Sequence, residues 1–203
     1  MKFTTPTFFG ALAVLGAISV ISSCSHSQEL PGAWEAAPER IMIPDASDAT
    51  STLTLDFAPV ENRKTPGQVS LSAVIELHQA ATSSDPAVEQ PWMVSVSATA
   101  SAQGTYVYEE GEDDDVLITI DPSTFNVVVD PDGVVYDSNV LTGTDSSALD
   151  SLTAETASRW RVLIAGAVRD QFNRYRRLGD IKVHHGELLS AEIDDRDCTF
   201  RKI

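Results

Sequence analysis

The chain has 203 residues, with 30 Asp and Glu against 14 Lys and Arg, and a formal charge of −16. So negative a surface repels polyanions, which excludes nucleic acid as a partner and gives no attraction to an anionic membrane face. A hydrophobic content of 42% is enough to bury a core, so a disordered polar chain is excluded as well.

Lys2 is followed by an uncharged run from Phe3 to Ile21 that closes on Ile21-Ser22-Ser23-Cys24. A positive start, an apolar middle and small residues at the end have the form of a secretory signal. The last four residues resemble a bacterial lipobox, which implies cleavage before Cys24 and lipidation of its sulfur. On that reading residues 1–23 are a signal peptide, 24–30 a lipidated tether and 31–203 one folded domain. The alternative, a retained transmembrane helix, has roughly the length to span a bilayer, but no basic cluster follows Cys24. The expected location is the envelope of a Gram-negative bacterium, at the outer membrane. The membrane is reached through lipid, since one acyl chain holds only marginally while two or more hold firmly. With Cys24 consumed, Cys198 has no disulfide partner and reads as a small buried hydrophobe.

After the tether, Gly32-Ala33-Trp34 opens the folded part and Glu35 to Ile43 continue as a first strand. Leu53, Leu55 and Phe57 alternate with polar residues, as do Leu71, Ala73, Ile75 and Leu77, the period-2 pattern of half-buried strands. From Trp92 to Tyr108 a long extended run carries Ala98, Ala100 and Ala102 on one face, with Gly104 as an expected bend. A row of alanines leaves room inside a barrel, or lets a helix pack closely. Glu109 to Asp115 is an acidic hairpin tip; calcium favours several carboxylate oxygens, but the run lacks the Asp-x-Asp-x-Asp-Gly order of a calcium loop. Beyond Val116 to Ile120, the stretches Asp121-Pro122-Ser123-Thr124 and Asp130-Pro131-Asp132-Gly133 read as β-turns around a strand from Phe125 to Val129.

The period then changes. Trp160, Leu163, Ile164, Ala167, Val168 and Phe172 recur at spacings of three and four, predicting one helix from Ala148 to Leu178 with Gly179 as its C-cap. Arg169, Arg174, Arg176 and Arg177 form the basic patch of an acidic protein, and present a possible surface for a partner or ion pairs with the chain's own acids. Three short strands follow, from Ile181, Leu188 and Asp197.

The predicted fold is mainly β: an antiparallel up-and-down barrel of about eight strands with one long helix before the last three, or alternatively a β-sandwich. Gly32-Ala33-Trp34 resembles the Gly-x-Trp that opens the first strand of lipocalins, and Phe200-Arg201-Lys202 resembles their closing strand, whose Arg lies over that Trp. The layout is similar to lipocalin-like (calycin-like) lipoproteins of Gram-negative envelopes, mostly of unknown function. The resemblance implies that Gly32, Trp34 and Arg201 close the barrel, but no Thr-Asp-Tyr triplet occurs and classical lipocalins place their helix after the eighth strand, so no ligand contacts carry over.

Catalytic motifs are missing from the sequence: there is no Gly-x-Ser-x-Gly elbow and no His-Glu-x-x-His helix. His184-His185 with Glu187 is the one cluster with zinc-ligand chemistry, yet adjacent strand residues point to opposite faces. No metal and no cofactor are expected. The leading expectation is a non-catalytic envelope lipoprotein that holds a small hydrophobic ligand in a barrel lined by Ala98, Ala100 and Ala102. The alternative is an interaction or inhibitor module with a solid barrel and an envelope protein as partner.

Overall fold

The computed structural model describes residues 30–81, 92–109, 114–136 and 146–203. The signal peptide, Cys24 and residues 110–113 of the acidic run lie outside the described residues. The elements are β1 (Gly32–Ala36), β2 (Glu39–Arg40), β3 (Asp48–Phe57), β4 (Gly67–Ala81), β5 (Trp92–Tyr108), β6 (Val116–Tyr136), α1 (Ser146–Arg174), β7 (Arg177–His184), β8 (Leu188–Ile193) and β9 (Arg196–Lys202). They form one antiparallel sheet in which sequence neighbours pair, with β9 returning to β1 and β1 pairing with β3. Eight strands therefore close a ring, and the fold is the barrel rather than the sandwich. The predicted first strand is broken at Pro38: β1 and β2 lie along the same edge of β3, facing Leu55 and Ser51 respectively. Proline has no N–H to give the ladder.

Alternation fixes the inner face. On β3, β4 and β5 the buried residues are Ala49, Ser51, Leu53, Leu55 and Phe57; Val69, Leu71, Ala73, Ile75 and Leu77; and Val94, Val96, Ala98, Ala100, Ala102 and Tyr106. Gly104 does not break β5. A Cβ there would stand 2.3 Å from the Thr119 carbonyl oxygen, so the glycine permits close approach of β6.

The stretches 121–124 and 130–133 are not hairpin turns, and β6 runs through both. Ser101 pairs with Asn126 and Gln103 with Asp121, so Ala102 alone faces residues 122–125; likewise Ser97 alone faces residues 130–133. Each is a bulge with three extra residues, and an odd insertion reverses which side chains point inward. The buried set accordingly moves from Val116 and Ile118 to Val127 and then to Val134 and Tyr136. The turn chemistry operates inside each bulge: Asp121 accepts from the Ser123 N–H at 2.9 Å, and Asp130 from the Asp132 N–H at 3.0 Å.

The helix starts before Ala148 and ends at Arg174, one turn short of the predicted Leu178. Tyr175 and Arg176 form a tightening turn, their N–H groups reaching the Phe172 and Asn173 carbonyls at 3.1 and 3.4 Å. Gly179 is therefore a strand residue, paired with Glu192, and not a C-cap. The register of β7 slips by one residue between Gly179 and Lys182, where Asp180 sits at φ 44°. Ala157, Trp160, Ile164, Val168 and Phe172 make the buried face of α1 and belong to one hydrophobic cluster with the inner face of the sheet. The helix packs on β6 and β5, the strand that bears the alanine row.

Candidate functional site

At the seam between first and last strands, Trp34 is fully buried and donates its indole N–H to the Leu30 carbonyl at 2.6 Å. The cation over its ring is Lys202, with Nζ 5.1 Å from the centroid, and not Arg201. Phe200 is buried, so period 2 puts Lys202 on the same inner side; Lys202 pairs directly with Trp34, while Arg201 pairs with Glu35. Gly32, at φ 123°, makes the approach possible: a Cβ there would meet Lys202 Cε at 2.9 Å. Lys202 also donates to the Pro31 carbonyl at 3.3 Å.

A second junction ties the helix to the inner face. Ser51, buried on β3, donates to Gln171 Oε1 at 2.9 Å, and Gln171 Nε2 donates to Glu39 of β2 at 2.5 Å. Arg174 reaches the same Glu39 oxygen at 2.9 Å. Burial, and then the Glu39 charge, push the Tyr175 phenol well above its ordinary range. At the other end of the helix the inward Tyr136 donates to Thr156 Oγ1 at 2.7 Å. Sequence patterning did not single out Ser51, Gln171 or Glu39. A lone polar residue at an inward strand position and a lone glutamine at a buried helix position were the only available signals.

The seam between β6 and β7 is the narrowest of the ring. Its ladder pairs are Val116 with Leu178 and Leu117 with Arg177, extended by Ile118 N–H to the Arg176 carbonyl at 2.7 Å. Asp115 stands in for missing ladder bonds: one oxygen accepts from the Asp180 N–H at 3.0 Å and the other from Arg177 Nη2 at 2.6 Å. The Arg177 guanidinium and then the Asp180 N–H hold its carboxyl below the usual range. Arg177 also lies 3.4 Å from Glu109. Around this seam is a polar cleft of about 430 Å³ lined by Asp115, Arg174, Arg177, Asp180, Glu192 and Asp195, among others.

Of the four arginines of the basic patch, Arg174 and Arg177 are thus bound to carboxylates of the same chain. Arg169 stacks 4.7 Å from the centroid of Phe125, and Phe125 meets Phe172 edge-on at 6.0 Å. Arg169 and Arg176 form no ion pair among the described residues, and both line an apolar cleft of about 200 Å³ with Ile120, Pro122, Phe125, Phe172 and Asn173.

His184 faces Ser190 at 3.2 Å, His185 occupies a turn position at φ 54°, and no cluster of three metal-ligating residues occurs among the described residues. His78 lies 3.0 Å from Ser95 on the exposed outer face of β4 and β5, a pairing that alternation alone did not predict. Compared with known proteins, the chain matches no family model, no curated protein and no solved structure.

Proposed function

We propose that this chain is a non-catalytic envelope protein, held to the membrane by lipid on Cys24, whose filled barrel is a scaffold for recognising another envelope protein at its surface. The observation that carries this reading is the Ser51–Gln171 hydrogen bond at 2.9 Å. An inward side chain of the sheet meets the helix, so α1 lies against the inner face and its buried residues join the core there. The resemblance of Gly32-Ala33-Trp34 to the lipocalin opening supports an envelope barrel and carries no ligand contacts with it.

A second reading, a small hydrophobic ligand in the interior, is favoured by Trp160. Its indole N–H is buried and has no acceptor among the described residues, and such an orphan costs about 1–3 kcal/mol. A ligand oxygen beside it would remove that cost.

Native mass spectrometry of the full chain purified from envelopes separates the two readings. The scaffold predicts the bare mass of the lipidated protein, and an apolar molecule released only on unfolding overturns it. Cross-linking in intact cells is expected to give a discrete adduct with a second protein, and monomer alone argues against recognition. Metabolic labelling with a radioactive fatty acid should mark the wild type and not Cys24→Ser; an unlabelled wild type removes the lipid anchor from the account.

A further inference from the structure

Beyond Ile118 the β6–β7 ladder stops, and the end of α1 faces the first bulge of β6 across the apolar cleft of about 200 Å³. Arg169, Phe172 and Asn173 fall at i, i+3 and i+4 on α1, and Arg176, in the tightening turn just beyond the helix, lines the same cleft. On the other side are Ile120, Pro122 and Phe125. The bulge builds this wall: three extra residues carry Phe125 off the ladder and set its ring against Phe172 and Arg169. The nearest bulge carboxylate, Asp121, is turned to its own Ser123, whose N–H and hydroxyl it accepts at 2.9 and 2.7 Å.

We propose that this cleft binds a small amphiphilic carboxylate, a single ring or short acyl chain with an anionic head, independently of what the barrel scaffold recognises. The apolar walls take the body of the molecule and the two guanidiniums take its charge. Charge complementarity selects the anion: in a chain of −16 overall, these two arginines have no carboxylate partner among the described residues. Size selects the body, since the volume is below the roughly 300–1,000 Å³ of sites for drug-sized ligands. Arg supplies planar, paired donors that fit a carboxylate in two hydrogen bonds.

The test is an NMR titration of the full chain in nanodiscs of zwitterionic lipid, with empty nanodiscs as the blank. The probes are 4-phenylbutyrate, 4-phenylbutanol and acetate. Phenylbutyrate is expected to bind at least about tenfold more tightly than either of the others, the loss that removing one charged hydrogen-bond partner produces. Arg169→Gln/Arg176→Gln should reduce phenylbutyrate binding to the level of the alcohol, while Arg161→Gln/Arg201→Gln, exposed elsewhere, should leave it unchanged. Equal binding of the alcohol, equal binding of acetate, no binding by the wild type, or an unaffected double variant each overturns the proposal. If the double variant loses its far-ultraviolet dichroism, Arg176→Gln alone carries the same test, because its exposed side chain supports no described ion pair.

Discussion

Ser51 and Gln171 lie 120 residues apart and are joined by a 2.9 Å hydrogen bond between the inner face of β3 and the buried face of α1. The contact is what places the helix against the interior of the ring, and it has a measurable consequence. Gln171→Ala leaves the buried Ser51 hydroxyl without its partner and should lower stability by about 1–3 kcal/mol. A double-mutant cycle with Ser51→Ala, read from urea midpoints, should return a coupling of about 0.5–1.5 kcal/mol. Strictly additive effects would mean that the helix is not held there.

At the closing seam the two neighbouring cations should behave differently. Lys202→Ala removes the cation over Trp34 and should cost about 0.5–1 kcal/mol. Arg201→Ala, on the outer side, should stay within about 0.5 kcal/mol of wild type. The opposite order in thermal unfolding would overturn the register of β9 on β1.

Asp115 gives the barrel an acid sensitivity. Its folded carboxyl is held below its ordinary value by Arg177 and the Asp180 N–H. A depressed acid stabilises the fold at pH above the unfolded carboxyl value, about 3.9, and that contribution disappears as the pH falls through the lower folded value. Asp115→Asn should therefore be less stable than wild type at pH 7 and lose less on acidification below about pH 4. Parallel pH profiles for the two proteins would remove Asp115 from the β6–β7 seam.

The hairpin between β8 and β9 is strained by its sequence. Asp194 and Asp195 sit at φ 51° and 60°, between the paired Ile193 and Arg196, where a two-residue turn needs two left-handed residues. Asp195→Gly relieves the second of these and should stabilise by about 0.5 kcal/mol. That raises the melting temperature by about 1–2 °C in a chain of this size. A lower melting temperature would show that the aspartate makes a compensating contact.

Alternation along β3, β4 and β5 and the change to a spacing of three and four near Trp160 were both readable from the chain, because each depends on residues close in sequence. The two Asp-Pro stretches were read with the right local chemistry and the wrong role. An aspartate that accepts its own i+2 N–H looks the same in a hairpin and in a bulge, and the partner strand decides which it is. The end of α1 was missed for a similar reason: the apolar spacing continues through Tyr175 and Leu178, yet Leu178 pairs with Val116 on the ladder.

The sequence by itself determined a mainly β, antiparallel chain with one helix before its last three strands and left barrel and sandwich both open, since side-chain period and turn residues are local properties of the chain while ring closure is not. Only the tertiary structure decided that Lys202 rather than Arg201 covers Trp34, that Asp115 fastens the β6–β7 seam, and that Arg169 and Arg176 flank a cleft while Arg174 and Arg177 are paired with acids. Those outcomes depend on register and on how an odd insertion reverses the faces of a strand. Both are fixed by which backbone lies alongside, and no stretch of sequence read alone contains its neighbour.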